Sequence, residues 1–186
     1  MAEISKTLKL VWEVEYNNDP KRALEQNPGE TGLTYKGIYE TAHPNWAGWT
    51  AVKSVLMKCG GDKKKAGVEL ESDIIVQKQV EDLYKEVFWD KMQLDKINAQ
   101  KIADEMMIFG VNAGTSKAVK LAQTVAGVVV DGVIGSGTVA ALNKFDPDVF
   151  DKAFDVEEKK YYEELIAKKP QFKIFANGWR SRAEYV

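Results

Sequence analysis

The chain has 186 residues, 45% of them hydrophobic and 29% charged; this is the balance of a soluble globular protein, and the length suits one domain or two small ones packed together. Lysine plus arginine number 26 against 28 aspartate plus glutamate, a net charge of -2, so no bulk field draws the protein to nucleic acid or to an anionic membrane. A single cysteine, Cys59, excludes an internal disulfide framework and a multi-cysteine zinc cluster, and a single histidine, His43, argues against a histidine-rich metal site.

From the N-terminus, Ile4, Leu8, Val11 and Trp12 recur on one face at helical spacing, predicting a first helix from Ile4 to about Tyr16. Asn17-Asn18-Asp19-Pro20 ends it, because the residue before a proline is pushed out of the helical region. No apolar run follows the first residues, so a cleaved signal peptide is not expected and synthesis is expected in the cytoplasm. Residues 20–50 are rich in Gly, Pro, Thr, Tyr and Trp and lack a steady period, the pattern of an irregular or β-containing loop region.

Ala51 to Lys58 reads as a short amphipathic helix, and the glycines and lysines of 60–65 as a solvated loop. Ser72 or Asp73 suits the cap of a helix with Val76, Val80, Leu83, Tyr84 and Val87 on one stripe, ending near Phe88-Trp89. A further helix runs from about Asn98 to Phe109, stopped by Asn112-Ala113-Gly114. Ser116 is the expected cap of the next. The segment Gly127 to Gly135 reads as a short strand or an ordered loop, and its Val128-Val129-Val130 run is far shorter than the ~20 residues of a membrane span. Ser136 is expected to cap a short helix to Asn143. Asp146-Pro147 opens a long one to about Lys169, with Phe150, Phe154, Tyr161, Leu165 and Ile166 inward, and the tail through Phe175 and Trp179 forms a last helix. The class is mainly α.

Several groups have chemical potential. In the first helix Glu15 falls inside the apolar arc and Glu13 roughly opposite, so helix phase nominates Glu15 as the more buried carboxylate, with a half-exposed place in the last turn as its plain alternative. A glycosidase needs one carboxyl kept protonated and a second group across the cleft; Glu25 and Glu30 lie where that second group belongs. Tyr16 and Tyr35 are either platforms for sugar rings or core residues. His43 has no G-x-S-x-G serine and no papain-like cysteine beside it, so it reads as a loop histidine, and the glycines at 132, 135 and 137 match no phosphate-binding loop.

Taken together, Trp12-Glu13-Val14-Glu15-Tyr16 with Asp19-Pro20, Thr34-Tyr35-Lys36-Gly37-Ile38, Asn112-Ala113-Gly114, Asp131-Gly132 with Gly135 and Thr138, and Gly178-Trp179 with Arg182 resemble the phage-type muramidases of glycoside hydrolase family 108 and their C-terminal predicted peptidoglycan-binding domain. Val14 and Glu15 stand at that family's paired glycines, and Asn27-Pro28-Gly29 is the nearest counterpart of its D-P-G-G segment. The resemblance implies a lysozyme-like helical fold, with a catalytic region at 1–97 and a helical wall-binding region at 98–186 packed on it. It implies hydrolysis of the N-acetylmuramic acid to N-acetylglucosamine linkage of peptidoglycan without a metal or cofactor, by an endolysin-like monomer that meets its substrate in the periplasm after release or delivery. Its catalytic glutamate falls on Glu13, Glu30 and Thr34 are the other catalytic candidates, and Tyr16, Tyr35 and Asn112 are candidates for binding the glycan.

Overall fold

The computed structural model describes residues 1–26 and 31–185, and in it the chain is mainly α with a small antiparallel sheet. It forms two compact units, Leu8–Glu86 and Met1–Thr7 together with Val87–Val186. The division does not follow the 97/98 boundary expected from sequence. The first turn of the opening helix, α1 (Ile4–Tyr16), belongs with the C-terminal unit, and the crossing back comes at a π turn, Lys85–Trp89.

In the unit Leu8–Glu86, α1 buries Leu8, Val11 and Tyr16. Asp19 then caps a short 3₁₀ turn, Pro20–Arg22, its side chain accepting from the Lys21 backbone N–H at 3.0 Å. Three two-residue strands follow, β1 (Leu24–Glu25), β2 (Thr34–Tyr35) and β3 (Ile38–Tyr39), antiparallel in the order β1-β2-β3, with Thr34 opposite both Glu25 and Tyr39. The helices are α2 (Gly48–Lys58), α3 (Lys63–Glu71) and α4 (Ile74–Tyr84).

Helix α3 is a correction to the sequence reading, which left its first residues as a loop. Asp62 caps it, accepting from Lys65 N at 3.1 Å, and the three lysines form a solvated first turn that leads into the buried Ala66, Gly67 and Leu70. Gly67 has no room for a side chain because the Pro20 carbonyl lies against it. The glycine brings α3 onto the 3₁₀ turn, which fixes the floor under Arg22 and Ala23. Of the two caps considered for α4, Asp73 is the one used, accepting from Ile75 N and Val76 N.

The other unit holds α5 (Gln100–Ala113), α6 (Thr115–Ala126), α7 (Ser136–Leu142), α8 (Pro147–Lys168) and α9 (Ala176–Arg182). Gly114 and Gly135, not Ser116 and Ser136, stand at the caps of α6 and α7, and neither cap makes a side-chain hydrogen bond. Residues 127–135 are an ordered loop. Buried Gln123 holds it, donating to Asp131 at 2.7 Å and accepting from Gly132 N at 2.8 Å. Asp146 caps α8, whose buried positions are Phe150, Phe154, Glu158 and Tyr162, while Tyr161, Leu165 and Ile166 are half-buried. The buried face continues past Phe154 at four-residue spacing to Tyr162, whose ring stacks on Trp179 of α9 with centroids 4.8 Å apart. Among the described residues no helix is long and apolar enough to cross a membrane.

Helix α5 is buried on every side from Ile102 to Gly110, which carries Asp104 and Glu105 inward. Burial, with Glu158 nearby, pushes the Glu105 carboxyl up to about 10, and burial with Asp155 nearby pushes Glu158 up to about 8. Both groups therefore hold protons in the folded state that the unfolded chain has released above the ordinary 4.5. Stability then falls as pH rises from about 4.5 toward 8. Thermal unfolding in chelator-containing buffer should show a lower midpoint at pH 8 than at pH 5, and Glu105→Gln should flatten the slope by on the order of a few kcal/mol over that range. A wild-type midpoint that rises across it would refute the assignment.

Candidate active site

The end of α1 and the β2–β3 hairpin together build a cleft of about 180 Å³. It is lined by Glu15 and Tyr16 from α1, by Arg22 and Ala23 after the 3₁₀ turn, and by Glu25, Thr34, Lys36 and Gly37 from the sheet. Two carboxylates and two cations share this space, and the Thr34 hydroxyl-bearing side chain lies between β1 and β3 on the middle strand.

The hairpin turns tightly through Lys36 and Gly37, both with positive φ, at 47° and 77°. This is the turn geometry that matches strand twist, and it favours glycine at the second position. A side chain at Gly37 would also strike the Tyr84 hydroxyl, which donates to the Lys36 carbonyl at 2.8 Å, and would crowd the Glu15 carboxylate. Lys36 itself is held in the unfavourable left-handed region by its side chain. Its Nζ reaches both Glu71 oxygens at 2.9 and 3.0 Å and the Gln77 side-chain carbonyl, and lies 5.4 and 5.3 Å from the Trp12 and Tyr16 ring centres. Lys36 is 2% exposed, and burial pulls its ammonium below the ordinary lysine range, opposed by Glu71.

The residues nominated from sequence fall in different places. Glu13 is exposed on the last full turn of α1 and does not line this cleft, whereas Glu15 is half-buried within it, the order of burial that helix phase predicts. Thr34 lines the cleft. Glu30 lies outside the described residues, but Glu25, the other carboxylate considered, is on the cleft directly opposite Thr34. Tyr35 is 0% exposed and its hydroxyl accepts from Gln77 Nε2 at 2.9 Å. Of its two readings it takes the core one, since a ring without solvent contact offers no face to a sugar. Tyr16 shows only 4% of its surface, at the cleft wall, and burial raises the hydroxyls of both tyrosines above their ordinary value. Asn112 belongs to the other unit, on α5, where it donates to the Tyr162 hydroxyl at 2.8 Å.

Arg22 and Lys36 had no role in the sequence reading. The signal for Lys36 was present in Thr34-Tyr35-Lys36-Gly37-Ile38, where a lysine next to a turn glycine sits between two β-favouring residues, but nothing local says that such a lysine is buried. His43 is half-buried beside α2, with its carbonyl accepting from Trp49 Nε1 at 2.8 Å, and is not among the cleft residues.

Residues 9–114 match the family model of glycosyl hydrolase 108, and residues 117–184 match a predicted peptidoglycan domain. No curated protein matches. Among solved structures, that of SagA from Brucella abortus aligns with a TM-score of 0.66 and 26% identity, over 97% of this chain and 88% of that one. The mainly α, lysozyme-like class expected from the resemblance stands.

Proposed function

Because the chain belongs to the glycosyl hydrolase 108 family and is a peptidoglycan hydrolase, we propose that it cleaves the N-acetylmuramic acid to N-acetylglucosamine linkage of peptidoglycan, with Glu13 as the general acid. The observation that carries the reading is the pairing of a glycosidase family match with a peptidoglycan domain match in one chain. For Glu13, support comes from the register of Trp12, Tyr16, Asp19 and Pro20 around it, and from its exposed place at the end of α1, where a glycan strand can reach it.

The reaction asks for little machinery. Glu13 gives its proton to the glycosidic oxygen as the bond to the anomeric carbon breaks. Water adds to that carbon and loses a proton to a base, so that one water is consumed per bond. A general acid must enter the step protonated. Thr34 orients the attacking water, and Glu25, paired across the sheet from it, or Glu30 takes the water's proton or balances the positive charge at the anomeric centre. Lys36 and Gly37 position Thr34 and do not touch the reacting atoms. Glycan is also the ligand of the C-terminal segment in this reading, and the protein works as a monomer on the periplasmic wall after release or delivery from the cytoplasm.

Incubation of the purified protein with purified sacculi, followed by borohydride reduction and separation of the muropeptides, tests the bond. Reduced muramic acid at the new ends is the expected result. Reduced glucosamine ends would reassign the linkage, and wall binding with no release of fragments would make the chain a non-catalytic wall-binding protein.

A further inference from the structure

We propose that helices α5 and α8 hold a calcium-sized divalent cation between Glu105, Asp151 and Asp155. One oxygen from each of these three carboxylates lies within 4.8 Å of the other two. Oxygens that share a Ca²⁺ at about 2.3–2.6 Å can stand up to about 5 Å apart, so this spacing admits Ca²⁺, while Mg²⁺, which dehydrates reluctantly, is less suited to a site between packed helices. The donor set is all carboxylate oxygen, with no imidazole or thiolate, and this suits hard cations.

Proximity of acids on a surface would mean little, but here Glu105 is buried and Asp151 and Asp155 are half-buried. Glu105 is 4% exposed, and its Oε1 is buried without a hydrogen-bond partner. Glu158, one turn beyond Asp155 on the same face of α8 and 2% exposed, has its Oε2 buried in the same condition. Two unpartnered carboxylate oxygens inside one helix pair are a costly arrangement that a cation would relieve. The lysines nearby pair with the two aspartates and not with the unpartnered oxygens of Glu105 and Glu158. Lys101 Nζ reaches Asp151 at 3.1 Å and Asp148 at 3.0 Å, and Lys159 Nζ lies 3.6 Å from Asp155 and 2.9 Å from Glu184. The charge of Arg182 acts on Glu158. Nothing in this inference depends on the glycosidase reading, since the three ligands lie in the unit that lacks the cleft.

The test uses the full-length protein, stripped with chelator and titrated with CaCl₂ at pH 7.5 by calorimetry, with MgCl₂ and MnCl₂ in parallel. One Ca²⁺ per chain is expected, with Ca²⁺ preferred over Mg²⁺ and a thermal midpoint about 5 °C higher at a hundredfold excess over Kd. Glu105→Gln and Asp155→Asn should each weaken binding at least tenfold, and Glu105→Gln should keep a metal-free midpoint no lower than the wild type. Should a variant fold poorly, amide shifts of the wild type on Ca²⁺ addition locate the ion, and they should centre on residues 102–108 and 148–159. No heat and no midpoint shift with any of the three cations, or wild-type affinity in both variants, or shifts centred elsewhere, would overturn the site and leave carboxyls that share protons.

Discussion

Replacing Glu13 with Gln should abolish release of wall fragments, lowering turnover by about 10²-fold or more, since that is what a positioned general acid supplies. The thermal midpoint should stay close to the wild type, because Glu13 is exposed and the exchange keeps its shape. The informative control is Glu15→Gln. Glu15 lies in the cleft against Gly37, so its loss should cost some turnover and some stability together, through the hairpin that carries Thr34. If instead Glu13→Gln lyses walls at the normal rate and Glu15→Gln is inactive with an intact fold, the proton donor is Glu15, acting beside Thr34 and Glu25 in the cleft they share. Sacculi turnover and a melting curve on the same two variants decide between them.

A second large effect is expected at Lys36. Lys36→Met keeps most of the side chain's volume and removes its charge, so Glu71 loses its partner, Gln77 loses a donor to its carbonyl, and the Trp12 and Tyr16 faces lose the ammonium. A fully buried pair broken on one side costs about 3–5 kcal/mol. Here Glu71 is 39% exposed and regains water, so about 2 kcal/mol is the expected loss, read as a lower midpoint in urea unfolding at unchanged slope. The positive-φ turn at Lys36 would then keep its strain and lose its anchor. Turnover should fall about tenfold with little change in KM, because Thr34 is displaced while the outer glycan contacts remain. An unchanged urea midpoint would show that the lysine is a passenger in the turn.

The legibility of this protein differs between elements for physical reasons. Asp73 and Asp146-Pro147 announce their helices because capping is a contact within three residues, and the stripe Val76, Val80, Tyr84 announces a buried face because helical period is local. The ordered motifs that resemble glycosyl hydrolase 108 were also visible in the chain, and the family match bears them out. Helix α3 was not legible, since Lys63-Lys64-Lys65 has a loop's composition, and only its packing on the Pro20–Arg22 turn, through Gly67, gives the helix a buried face.

The sequence by itself determined the mainly α class, the starts of α1, α4 and α8, and the family. It also ranked Glu15 as more buried than Glu13, because both lie on one helix and their relative phase needs no partner. Only the tertiary structure decided that Tyr35 belongs to the core, that Lys36 is an interior cation and that Glu105 and Glu158 are buried acids. For each of these, burial is conferred by segments distant in the chain: Leu70, Glu71 and Gln77 around the hairpin, and α8 against α5. A polar residue's own neighbours in sequence carry no record of which distant surface will cover it.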